Sequence, residues 1–180
     1  MTSPNTSPSY RADASLKKRF VAQLRANQKA GRVGKTPVDP PKWRGGPLAN
    51  GVRILEGLGR APLEGAPDLA SELGVPEYLL ALQEAIFWAI EPHEDAEAWP
   101  ARFFSALPVG KHLLSVGHNF IRWAHTSLPD PRQEFLDMSS CPPSSAAELL
   151  QYCKSRAGEE WQPWLRQACN RLVELVSRAE

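Results

Sequence analysis

The stretch that most constrains this chain is 77–90, EYLLALQEAIFWAI. Apolar side chains fall at Tyr78, Leu79, Leu80, Leu82, Ile86, Phe87, Trp88 and Ile90, with Ala81, Ala85 and Ala89 between them, so only Glu77, Gln83 and Glu84 interrupt the coat. A helix that is apolar nearly all round belongs in the middle of a domain. At about 14 residues it is too short for a bilayer span, which takes roughly 20. The sequence therefore predicts a helical domain built around a buried helix over 76–90, with Pro76 in its favoured first-turn position.

The rest of the chain supplies partners for that helix. Ser15 is placed to cap a helix running to about Ala30, with Leu16, Phe20, Val21 and Leu24 on one side and Lys17, Lys18, Arg25 and Lys29 on the other. Helical spacing is also read over 49–58, 68–73, 95–107, 111–126, 145–157 and 159–179, with a short helical piece at 132–138. Ser145 and Glu148 form a capping box for the helix that starts there. No segment alternates apolar and polar residues as a half-buried strand does. The expected fold is all-α: an irregular bundle of about seven helices around 76–90, packed chiefly by 95–107, 111–126 and 159–179.

A chain of 180 residues holds one ordinary domain and a tail. Residues 1–14, rich in Ser, Thr, Pro and Asn, read as a disordered tail. Residues 15–47 read as a basic helix followed by a Pro/Gly-rich strap, and 48–180 as an acidic helical domain. The net charge of +1 conceals this division. Up to residue 45 the chain carries ten Lys and Arg against Asp13 and Asp39, a surplus of +8, whereas the remainder carries eleven basic and eighteen acidic side chains, a balance of −7. A basic arm outside an acidic body implies a polyanionic partner, or an arm that folds back on its own body. Trp43, flanked by Lys42 and Arg44 in the strap, reads as an anchor to a surface.

The first twenty residues are polar, and no apolar run reaches the length of a span. Cys141, Cys153 and Cys169 form no CxxC pair, and at least one of three stays unpaired in any disulfide scheme. Buried thiols in a reducing cytoplasm are the expectation.

Signals of chemistry are weak. Lys111, Ser115, His118, Arg122 and His125 recur in helical steps on one predicted face, where two imidazoles beside a guanidinium could hold a carboxylate or phosphate. The same residues also suit the wet side of an amphipathic helix, and His118 and His125 stand about 10 Å apart along the axis, too far to share one zinc. Glu91, Glu94, Asp95 and Glu97 around His93 are explained as acids at a helix start and lack the spacing of a calcium loop. Phosphate-loop, dinucleotide, nucleophile-elbow and HExxH patterns are absent. No cofactor or metal is expected.

The run LASELGVPEYLLAL, 69–82, resembles the turn of helix-turn-helix DNA-binding proteins. The resemblance implies that the helix from Pro76 reads bases. That helix, however, presents Leu, Ala, Ile, Phe and Trp with Glu77 and Glu84, and an acidic, apolar helix does not approach DNA favourably. A helix hairpin with a tight Leu-Gly-Val turn accounts for the same residues.

The expected function is a non-enzymatic protein-interaction module, an adaptor, regulator or inhibitor-like protein presenting a helical surface to another protein. The alternative is a nucleic-acid-associated protein that binds phosphates through 15–45. Both place the contact on Lys17, Lys18, Arg19, Arg25, Lys29, Lys42, Trp43 and Arg44, with His118, Arg122 and His125 as a separate polar face. Trp123, Trp161 and Trp164 belong either to the core or to an aromatic contact patch. Oligomeric state is open.

Overall fold

The computed structural model describes residues 7–34, 46–60, 66–128 and 145–179. Among them are eight α-helices: α1 (Ala14–Lys29), α2 (Pro47–Gly57), α3 (Ala66–Leu73), α4 (Glu77–Ala89), α5 (His93–Ala106), α6 (Leu114–Thr126), α7 (Ser145–Ala157) and α8 (Trp161–Ser177). Short 3-10 turns occupy Ser9–Ala12 and Gly158–Glu160. No β-strand occurs among the described residues, and none of their helices is long and apolar enough to cross a membrane. The architecture is the expected all-α bundle; the piece expected at 132–138 lies outside the described residues, as does Cys141.

Helix α4 is the hub, packing against α2, α3, α5, α6, α7 and α8. Tyr78, Leu79, Leu80, Leu82, Ile86 and Phe87 are buried. Two residues depart from the expected pattern. Gln83, read as a break in the apolar coat, is fully buried, and its backbone carbonyl accepts the indole N–H of Trp99 at 2.9 Å, tying α5 to α4. Trp88, read as part of the coat, is 47 % exposed.

Glu84 takes the place of the missing cap on α2. Gly46 precedes that helix and has no side chain to cap it, and the Glu84 carboxylate instead accepts the backbone N–H of Leu48 at 2.9 Å. Its other oxygen accepts the Trp88 indole N–H at 3.0 Å. A carboxylate at a helix start is favoured by the dipole, yet burial wins here and pushes the Glu84 carboxyl above its ordinary value. An acid raised in this way binds its proton more tightly folded than unfolded. Its contribution to stability is therefore fully present below the unfolded value and is lost as pH rises through the folded one. We expect the urea midpoint of the natural chain to lose this increment between acid and neutral pH, and Glu84→Gln to lack it. Parallel pH profiles for the two chains would contradict the assignment.

The N-terminal region is built into the body. Disorder was expected through residue 14, but Ser9 and Tyr10 are fully buried; residues 1–6 lie outside the description. Ser9 donates its backbone N–H to the Lys111 carbonyl at 2.8 Å and accepts from Gly110 N at 2.9 Å. These bonds engage the backbone ahead of α6, which begins at Leu114 instead of the expected Lys111. Helix α1 is capped by Asp13, not Ser15: the carboxylate accepts from Ser15 N and Leu16 N at 2.8 and 3.0 Å.

Aromatic contacts then run from the N-terminal turn into α5. Tyr10 meets Phe20 at 6.4 Å, Phe20 meets Phe104 at 5.1 Å, Phe104 meets Phe103 at 5.2 Å, and Phe103 meets Trp99 at 5.9 Å. One buried cluster thus contains Tyr10, Leu16, Phe20 and Leu24 together with the residues of α4, α5 and α8, and it crosses the domain division expected at residue 47. The arm expected outside the bundle is, over α1, one of its core helices.

Candidate functional site

Docking by its apolar side fixes which way α1 turns its charges. Leu16, Phe20, Val21 and Leu24 are buried, so Lys18, Arg19, Arg25 and Lys29 are held in solvent. Among the described residues none of these four makes an ion pair. The helix itself contains no acidic residue. The basic segment does fold onto the body, as one expectation allowed: α1 docks chiefly through hydrocarbon, and Arg11 ahead of it pairs with Glu72 on α3 at 2.9 Å.

Lys17 is the exception in the expected contact set. Its ammonium donates to the Leu107 carbonyl at the end of α5 and lies 5.9 Å from the centre of the Tyr10 ring. Partial burial lowers its pKa. A cation on the last carbonyls of a helix completes that helix end, so Lys17 fastens α1 to α5. Lys42, Trp43 and Arg44 lie outside the described residues.

Beside the basic face, α1 and α5 enclose an open groove of about 480 Å³ lined by Arg25, Gln28, Lys29, Ala101, Arg102 and Ser105. Arg25 and Lys29 stand on successive turns of one wall. Arg102 rises from the other, its guanidinium donating to the Asn170 side-chain oxygen at 2.5 Å. Among the described residues no carboxylate lines the groove. Sequence reading missed Arg102 because it lies far from the basic segment along the chain, on a helix whose first turn is acidic; only the docking of α1 on α5 brings it in.

The polar face expected on α6 divides. His118 and Arg122 are exposed, whereas His125 is 1 % exposed. Seven-residue spacing puts both histidines at the same angle around the helix, but burial changes along it, and the end of α6 carrying His125 is covered. The three side chains do not form one accessible site. Among the described residues no group of three His, Cys, Asp or Glu is arranged to hold a metal ion.

The tryptophans fall on the core side of the alternative. Trp123 stacks on Trp164 at 5.6 Å, and Trp164 on Trp161 at 5.5 Å. The Trp164 indole donates to Ser127 Oγ at 2.9 Å. With Trp161 and Trp164 buried, this stack holds α6 to α8. Cys153 and Cys169 are free and buried, and burial pushes both thiols up to about 12, away from the thiolate that nucleophilic chemistry needs. The 69–82 hairpin turns at Gly74, with φ +60°, and delivers α4 into the core, where it cannot enter a groove of DNA.

A second cleft, about 340 Å³, opens between α5 and α8, with Glu91 and Asp95 as well as Arg102 and Arg166 among its lining residues. Its mixed charge gives it no preference for one ligand sign. Compared with known proteins, the chain matches no family model, no curated protein and no solved structure.

Proposed function

We propose that this protein is a non-enzymatic interaction module, an adaptor, regulator or inhibitor-like protein, whose working surface is the solvent side of α1. The observation that carries this reading is that, among the described residues, Lys18, Arg19, Arg25 and Lys29 form no ion pair, on a helix whose other side is fixed in the core. Such an arrangement costs stability. Arg25 and Lys29 form a like-charged pair four residues apart, worth about 0.2–0.5 kcal/mol of repulsion. An anion seated on the face removes this penalty, and a fixed field of one sign attracts such a partner from a distance.

The triple variant Lys18→Glu, Arg25→Glu, Lys29→Glu tests this. All three positions are exposed, so its far-UV spectrum should be unchanged and its melting temperature close to that of the natural chain. Its retention on a sulfated-polysaccharide matrix should fall to that of an uncharged control. Retention equal to the natural chain's would remove α1 as the working surface.

A further inference from the structure

The geometry points to the α1/α5 groove as a binding site for the phosphodiester backbone of duplex nucleic acid, an assignment that rests on α1 being the working surface. Basic residues from two helices line one open space: Arg25 and Lys29 about 6 Å apart along the α1 axis, with Arg102 on the opposite wall. The Arg102 guanidinium donates to the neutral amide of Asn170, a residue of the adjoining α5/α8 cleft, so Arg102 stands at the border of the two openings. Gln28 and Ser105, both half-buried, add polar groups to the lining. Lys18 lies on the same side of α1 as Arg25 and Lys29, so the stripe extends about 16 Å along the helix. A single small anion would leave most of that stripe unused; a backbone tracks it.

The lining also separates the classes of polyanion. Protein interfaces draw their energy from buried aromatic and aliphatic anchors in pockets, and among the described residues Ala101 is the sole apolar one lining this groove. Single-stranded nucleic acid is held by stacking bases on aromatic rings, and among the described residues no ring lines it either. Duplex phosphates need only cations and polar donors, and they are bound without regard to sequence.

The test is fluorescence anisotropy of a short random-sequence DNA duplex with the full chain, titrated between about 50 and 200 mM salt. It compares the natural protein with Arg25→Ala/Lys29→Ala and with the control Lys154→Ala/Arg156→Ala on α7. Polyglutamate serves as a competing probe. Alanine is well tolerated at exposed helical positions, so both variants should fold. The expected result is a salt-dependent affinity whose log–log slope falls by about 2 in the groove variant, since each lost phosphate contact removes about 0.9, and is unchanged in the control.

Duplex binding that is indifferent to the groove variant would overturn the groove while leaving the basic face in place. Polyglutamate that binds as tightly as duplex, with loss in the same variant, would overturn the nucleic-acid assignment in favour of an acidic protein. No binding of either polymer at the lower salt would overturn both the groove and the proposed function.

Discussion

Tyr10→Ala will melt about 10 °C below the natural chain. The ring is fully buried against Phe20, and its hydroxyl donates to the Phe104 carbonyl at 2.6 Å. Truncating a buried aromatic to alanine costs about 3–5 kcal/mol through lost transfer energy and the cavity left behind. In a domain of this size each kcal/mol moves the midpoint by about 2–4 °C. Tyr10→Phe keeps the ring and loses about 1 kcal/mol for the hydroxyl bond, so it should fall by about 2–4 °C. Deletion of residues 1–12, which spares the Asp13 cap, should behave like Tyr10→Ala. Thermal melts followed by circular dichroism make the comparison. An unchanged midpoint for both Tyr10→Ala and the deletion would mean that the N-terminal turn is no part of the stabilising core. A practical consequence concerns binding assays: a chain shortened through α1 loses Phe20 and Leu24 from the core along with the basic face, so point variants on the exposed side are the cleaner comparison.

The helices were legible because their signals are local. Helix α4 announced itself by an apolar coat too complete for a surface helix, and α8 by Trp161, Trp164, Leu165, Ala168 and Leu172 at helical spacing. Breakers did the same for boundaries: Gly31, Gly74 and Gly158 stand at helix ends with φ between +53° and +63°. What stayed hidden depends on tertiary partners. Tyr10 sits alone among polar residues, and composition assigns such a stretch to disorder; only the cavity offered by α1 and α5 gives its ring somewhere to go. Gln83 and Trp88 exchange their expected environments for a similar reason, since residue type gives a tendency to burial while neighbouring helices decide which arc of α4 is covered.

The candidate site shows the same division. The amphipathic pattern of α1 located Lys18, Arg25 and Lys29 on its polar side, and their exposure follows from that pattern alone. Arg102 belongs to the groove through packing of α5 on α1, a contact between residues more than seventy positions apart in the chain. Conversely, helical spacing grouped His118 with His125, and spacing carries no information on where along a helix its neighbours end.

Gly74→Ala should be nearly as damaging as loss of Tyr10, and for a linked reason. At φ +60° an alanine is strained by about 1–2 kcal/mol. More important, its Cβ would lie 2.1 Å from the Pro8 carbonyl oxygen and 2.7 Å from the carbonyl carbon. Backbone atoms cannot rotate away as the tip of a long side chain does, so the segment carrying Pro8 has to lift. Ser9 would then give up its pairing with Gly110 and Lys111, and Tyr10, two residues from Pro8, would be drawn from the core. The expected cost in the natural chain is about 3–5 kcal/mol, the size of a lost buried ring. In a Tyr10→Ala background the ring is already gone, and Gly74→Ala should cost only the strain of about 1–2 kcal/mol. The two substitutions are thus expected to be strongly non-additive. Additive costs in a double-mutant cycle by urea denaturation would show that the turn at Gly74 and the seating of Tyr10 are independent, and that the N-terminal segment reaches its place without the close approach that glycine allows.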